Sequence, residues 1–119
     1  MRNIYILLLV CISLKVGAQT STFSYADSLI EKGRYQLALQ KLKKVDTLQG
    51  ITNYKIGNIY ASIDDYKNAG VYYSKSLLYK KSRSVKKALA KSYHKTKQYK
   101  KAIQVYEQLL EEDNGNLLI

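Results

Sequence analysis

The chain has 119 residues, 46% hydrophobic and 24% charged, which is enough for one small domain and excludes a disordered composition. Its formal net charge is +11, so an anionic partner or surface is one reading and a solvated basic exterior is the other. One cysteine and one histidine leave no material for an internal disulfide or a His-rich metal site.

Met1-Arg2-Asn3 is a short positive start, and Ile4 to Leu14 is an uncharged, mostly apolar run. Val16-Gly17-Ala18 then places small residues ahead of Gln19. This three-part layout predicts a secretory signal peptide over 1–18, cut between Ala18 and Gln19, and so an exported chain, periplasmic or extracellular. The run is too short to cross a membrane core, which takes roughly 20 apolar residues. The alternatives are a first core helix of the domain or an uncleaved anchor. Cys11 lies inside the run without the small residue that a lipid-anchor signal favours just before it. Losing Arg2 and Lys15 would bring 20 basic residues to 18 against 9 acidic, a net +9, and would remove Cys11.

Gln19 to Thr22 reads as a polar lead-in. Phe23 to Lys32 predicts a helix with Phe23, Tyr25, Ala26, Leu29 and Ile30 on its apolar side. Gly33-Arg34 is a turn. Tyr35 to Val45 is a second helix with Tyr35, Ala38, Leu39, Leu42 and Val45 inward, and Asp46 to Gly50 is a loop. The stretch from Ile51 to Leu77 predicts two short helices facing each other across Asp64-Asp65, with Ile56, Gly57 and Tyr60 on one stripe and Tyr66, Ala69 and Tyr73 on the other. A basic linker follows. Ser84 to Lys95 is a fifth helix with Ser84 as N-cap, Thr96-Lys97-Gln98 is a turn, and Tyr99 to Glu112 is a sixth helix stopped at Asn114-Gly115. Its stripe carries Tyr99, Ala102, Ile103, Tyr106, Leu109 and Leu110. No stretch reads as a strand.

The second helices align as Tyr35-x-x-Ala38, Tyr66-x-x-Ala69 and Tyr99-x-x-Ala102, with the alanines 31 and then 33 residues apart. Such a period marks stacked helical hairpins. The first helices carry Tyr25, Ala26 and Leu29, then Ile56, Gly57 and Tyr60, then Leu89, Ala90 and Tyr93. These residues resemble the tetratricopeptide repeat, a unit of about 34 residues with an apolar, a small and an aromatic residue at its seventh, eighth and eleventh places. The resemblance covers residues 20–116, with repeats at about 19–49, 50–82 and 83–116. The proline that often ends a unit is missing, and the first unit is short by about three residues. The implied fold is all-α, a right-handed superhelical array of antiparallel helix hairpins with about six helices. Residues 117–119, Leu-Leu-Ile, fall where a further repeat would start, and the last helix would expose its stripe.

A search for chemistry finds little. No glycine-rich phosphate loop is present, and the single His94 amid lysines suggests no nucleophilic triad. Asp64-Asp65 reads as helix capping. The expectation is a non-enzyme with no cofactor and no metal. The basic cluster is the sharpest feature, because no acid occurs between Tyr66 and Tyr106. Lys87, Lys91 and Lys95 are spaced one helical turn apart. The resemblance implies a concave groove lined by first helices, at positions matching Tyr54 and Asn58 (with Ser62) in the second unit and Ser84, Lys87, Lys91, His94 and Lys95 in the third. Asp27 and Glu31 are the first-unit equivalents. The two-unit Lys and Asn clamp that some family members use for a C-terminal carboxylate is not present, since its first positions here are Phe23 and Asp27.

These features predict an exported protein-interaction scaffold holding a protein or peptide, an acidic one favoured by the basic end of the groove. Nucleic acid is not expected, because most tyrosines already have structural posts and export removes the chain from it. Membrane contact is expected only through the signal peptide or a peripheral basic patch. Three readings stay open beside this one: a repeat segment of a larger envelope or signalling protein, a binder of anionic lipid or polysaccharide, and a homo-oligomer joined through the uncapped last helix.

Overall fold

The structure is a computed structural model that describes the backbone of residues 2–45 and 50–117 and the side chains of residues 3–7, 21–45 and 50–115. Cys11, the Ala18 and Gln19 side chains, the Asp46–Gln49 loop, Leu118 and Ile119 lie outside the described residues. Among the described residues there are six α-helices and no strand: α1 (Arg2–Glu31), α2 (Tyr35–Lys43), α3 (Gly50–Ser62), α4 (Tyr66–Tyr79), α5 (Arg83–Lys95) and α6 (Tyr99–Leu117). The fold is all-α and built of helix hairpins, as the periodicity predicts. No helix among the described residues is long and apolar enough to cross a membrane.

The chain forms two compact units, 1–45 and 46–119. In the first, α1 packs on α2. Ala26 and Leu29 of α1 and Ala38, Leu39 and Leu42 of α2 are buried, at the spacing of one helical face each. Tyr25, expected inward, is exposed instead, with the Lys41 ammonium 6.0 Å from its ring centroid. The apolar body of the tyrosine is large enough to serve as a cation platform at the surface. The polar lead-in expected at Gln19 to Thr22 is helical, because nothing from Arg2 to Glu31 breaks the backbone ladder: there is no proline, and one glycine costs only about 1 kcal/mol. Residues Ile4 to Leu7 at its start are exposed.

The second unit packs α3 on α4, α4 on α5 and α5 on α6. Its core joins Ala69 and Tyr73 of α4 to Val85 and Leu89 of α5, with Tyr54, Tyr60, Leu77 and Tyr93 packed around them. Removing side chains of this size from water contributes about 1.5–3 kcal/mol each. That burial between neighbours stabilises helices of 13 and 14 residues that would be marginal alone. At Gly57 the ring of Tyr73 lies where a Cβ would be, 2.6 Å away, so only glycine lets α4 approach α3 this closely.

All three hairpins close with the same turn. Gly33, Asp64 and Lys97 adopt left-handed backbone, with φ of 72°, 61° and 63°. The next amide reaches five residues back: Arg34 N–H to the Leu29 carbonyl at 2.8 Å, Asp65 to Tyr60 at 2.9 Å, Gln98 to Tyr93 at 2.8 Å. The paired shorter bond runs from each left-handed residue three back, which makes the Schellman arrangement that satisfies the end of one helix. Four residues after the turn's last member, Ala38, Ala69 and Ala102 donate to Arg34, Asp65 and Gln98 as the second helices begin. The turn thus recurs in step with the alanines.

Two further expectations are corrected. The N-cap of α5 is Ser82, whose hydroxyl accepts from Val85 N–H at 3.5 Å, and Ser84 sits inside the first turn. The extended backbone of Ser82 turns its hydroxyl onto the helix end, which a residue with helical φ and ψ cannot do. The sixth helix does not stop at Asn114-Gly115 and continues to Leu117. Gly115 is not in the left-handed conformation that would end it, and glycine in a helix costs too little to stop one. Leu117 is the last described residue of α6.

Candidate functional site

The second unit places α3 and α5 on either side of a seam floored by α4. Two open cavities lie along it. One, of about 300 Å³, is lined by Tyr54 of α3, Ser76 and Lys80 at the end of α4, and Ser84 and Val85 of α5. The other, of about 390 Å³, is lined by Asn58 and Ser62 of α3, Tyr66 and Tyr73 of α4, and Lys91 and Ser92 of α5. Four of the residues predicted from sequence, Tyr54, Asn58, Ser84 and Lys91, are thus brought to one seam.

Of the remaining three, Lys87 and His94 lie on the α6 side and Lys95 lies at the edge of the seam. Lys87 lines a separate cavity of about 440 Å³ between α5 and α6, together with Arg83, Lys91, Tyr106 and Leu110. His94 is exposed and stands edge-on to Tyr99, 5.5 Å between centroids, on the α6 side. Lys95 lies 5.8 Å from the ring centroid of Tyr66, which places it at the rim of the second seam cavity. The row of Lys87, Lys91 and Lys95 thus spreads from the α6 side of α5 to its α4 side, with Lys91 lining a cavity on each. Residues four apart drift around a helix of 3.6 residues per turn, and α5 has a neighbour on each side.

Tyr73 organises the seam. Its hydroxyl donates to Asn58 Oδ1 at 2.7 Å, and its ring lies 5.8 Å from that of Tyr54. Burial, with Tyr54 and Tyr66 adding to it, pushes its ionisation up to about 12. The phenol is neutral and a fixed donor across ordinary pH. Asn58 spends its carbonyl on Tyr73, so its amide N–H groups are the part left to offer a ligand acceptor. Sequence reasoning assigned Tyr73 to packing alone. Its role in aiming Asn58 could be seen only once the fifteen-residue separation was closed by the hairpin.

Charge along the seam is uneven. Arg83 Nη2 meets Asp113 Oδ2 at 2.6 Å, and Lys86 bonds Glu112, so the first turn of α5 is tied to the end of α6. Among the described residues Lys87 and Lys91 make no ion pair, and both are exposed. Ser76 Oγ donates to the Gly50 carbonyl at 2.7 Å and fixes the floor beside Tyr54. Asp27 and Glu31, the first-unit equivalents, are exposed on α1. Among the described residues no three His, Cys, Asp or Glu side chains gather as metal ligands.

Two family models match the chain, both described as tetratricopeptide repeat, at residues 52–83 and 87–118. They fall on α3/α4 and α5/α6, starting two to four residues after the repeat boundaries predicted from sequence. No curated protein matches. Among solved structures, a crystal structure of MamA is similar with a TM-score of 0.69 at 17% identity, over 79% of this chain and 57% of that one. A second MamA structure, from AMB-1, gives 0.70 at 18%, over 79% and 54%. The second TPR domain of Spaghetti (RPAP3), bound to an HSP90 peptide, gives 0.69 at 17%, over 76% and 88%. The chain spans little more than half the length of the MamA chains it matches. Likeness at this identity speaks for the hairpin-array fold, while the two repeat models together take in more than half of the sequence. The chain belongs to the tetratricopeptide-repeat family.

Proposed function

We propose that this chain is an exported protein-interaction scaffold that holds an extended peptide along the α3/α5 seam. The observation that carries the reading is the convergence of Tyr54, Asn58, Ser84 and Lys91 on two adjoining open cavities. Tyr54 offers an apolar face, the Asn58 amide offers a donor held in place by Tyr73, and Lys91 offers an unspent positive charge. Together they suit a segment with a carboxylate beside an apolar side chain. The peptide bound to the Spaghetti domain supports this class of partner for a related fold. The α1/α2 hairpin is read as a further repeat because it repeats the closing turn of the other two. Export rests on the basic start, the apolar run and the small residues before Gln19.

The test is crosslinking with mass spectrometry in the native host, comparing the wild type with a Tyr54→Ala/Lys91→Glu variant. A partner that crosslinks near the seam and is lost from the variant is the expected result. Equal capture by both forms removes the seam assignment. N-terminal sequencing of the mature protein is expected to begin at Gln19, and an intact Met1 or Arg2 start would reject cleavage there.

A further inference from the structure

A second surface lies away from the seam, on the edge formed by α5 and α6. Along α6, Tyr99, Ile103, Tyr106 and Leu110 are exposed by 52, 54, 42 and 61%. Steps of four, three and four residues put them on one stripe, about 16 Å long at the helical rise. With about 150–250 Å² for each whole aromatic, half-exposed side chains of this size leave roughly 400 Å² of apolar surface. A patch of that size matches the largest apolar patch of a typical monomer, which is often functional.

The stripe borders the α5/α6 cavity of about 440 Å³, and the two walls differ. Tyr106, Leu109 and Leu110 form the apolar wall, Arg83, Lys87 and Lys91 form the basic one, and Asp113 also lines it, paired with Arg83. Arg83 is satisfied by Asp113 at 2.6 Å. Lys87 and Lys91, one turn apart, carry the charge that no acid among the described residues answers. A net charge of +11 for the full sequence, or +9 from Gln19 onward, adds long-range attraction for an acidic partner and repulsion between copies of the chain.

We infer that the α5/α6 edge is a docking site for an amphipathic helix of another protein, with two acidic residues four apart on the flank that faces Lys87 and Lys91. Its apolar stripe, at i, i+4, i+7 and i+11, matches that of α6. This is helix-in-groove recognition, distinct from an extended peptide in the seam. Lys91 borders both surfaces, whereas Lys87 and Leu110 border the edge alone.

The test titrates the full chain with two labelled synthetic helices of roughly four turns, read by fluorescence polarisation. Both carry leucines at the stripe positions, one with the glutamate pair on the flank and one with lysines in its place. The glutamate peptide is expected to bind at least tenfold tighter than its lysine twin, and less tightly as salt rises. Leu110→Glu should abolish binding with the circular dichroism spectrum unchanged, because that side chain is exposed. Lys87→Glu should weaken the glutamate peptide and restore the lysine twin. Equal binding of the twins, or binding indifferent to Leu110→Glu, overturns the inference. So does a free chain that is dimeric by light scattering and is split by Leu110→Glu, since a second copy then covers the face. Tyr54→Ala, a seam change, should leave this binding intact, and its loss there would place the peptide in the seam instead.

Discussion

Replacing Gly57 by alanine sets two effects of opposite sign against each other. In a helix interior alanine is favoured over glycine by about 1 kcal/mol. Against that, the new Cβ would stand 2.6 Å from Tyr73 Cε1 and 2.7 Å from Cδ1. Relief needs the ring to move by about 1 Å to reach ordinary carbon contact. The ring is only 3% exposed, its hydroxyl is engaged at 2.7 Å by Asn58, and Tyr54 stands beside it. Overpacking of this kind costs about 1–3 kcal/mol, and the strained hydrogen bond adds about 1 kcal/mol. The net expectation is a loss of about 2 kcal/mol. Urea unfolding followed by far-UV circular dichroism should show a midpoint lower by about 1 M, with slopes of the usual 1–3 kcal/mol per M. In the Gly57→Ala/Tyr73→Leu double variant the two losses should be less than additive, because the smaller side chain makes room. A Gly57→Ala protein with a midpoint at or above wild type would refute the close-approach argument. Gly115→Ala is the matching control: nothing lies within 4 Å of its Cβ position, so it should gain up to about 1 kcal/mol.

Lys97→Gly should raise stability by about 0.5–1 kcal/mol, because lysine there is held at φ 63° where glycine is at ease, and an unchanged midpoint would show the turn differs in solution. Ser82→Ala should cost about 1 kcal/mol while Ser84→Ala stays near zero, which separates the observed cap from the one expected from sequence. Tyr73 has a folded pKa raised to about 12 above the ordinary tyrosine value, so its contribution is complete below pH 10 and is lost as pH rises toward 12. Alkaline titration at 295 nm should show one late tyrosine, absent in Tyr73→Phe. Arg83→Ala should cost under about 1 kcal/mol and less at high salt, since its partners are at the surface.

How much of this was legible in the sequence depends on whether a feature is local or arises between helices. Hairpin positions are local. The alanine period, the turn sites and the alternation of stripes are written in short windows, so the six helices and the all-α class follow from pattern alone. The exposed stripe of α6 also follows from pattern, because those four residues share one face whatever their surroundings. Helix ends were less legible. Ser82 and Ser84 are chemically alike, and the backbone turn alone selects the cap; Gly115 is permissive rather than decisive, so α6 ran past it. Only the tertiary structure decided how the lysines divide. Lys87, Lys91 and Lys95 look equivalent by spacing, yet α5 lies between α4 and α6, and a drift of some tens of degrees per step sends them to different neighbours. Only the tertiary structure, likewise, brought the Tyr73 hydroxyl to Asn58 and so gave a packing residue a hand in shaping the seam. A helix's own face is set by its periodicity, whereas a site between helices depends on which faces meet, and that information is not in any one segment.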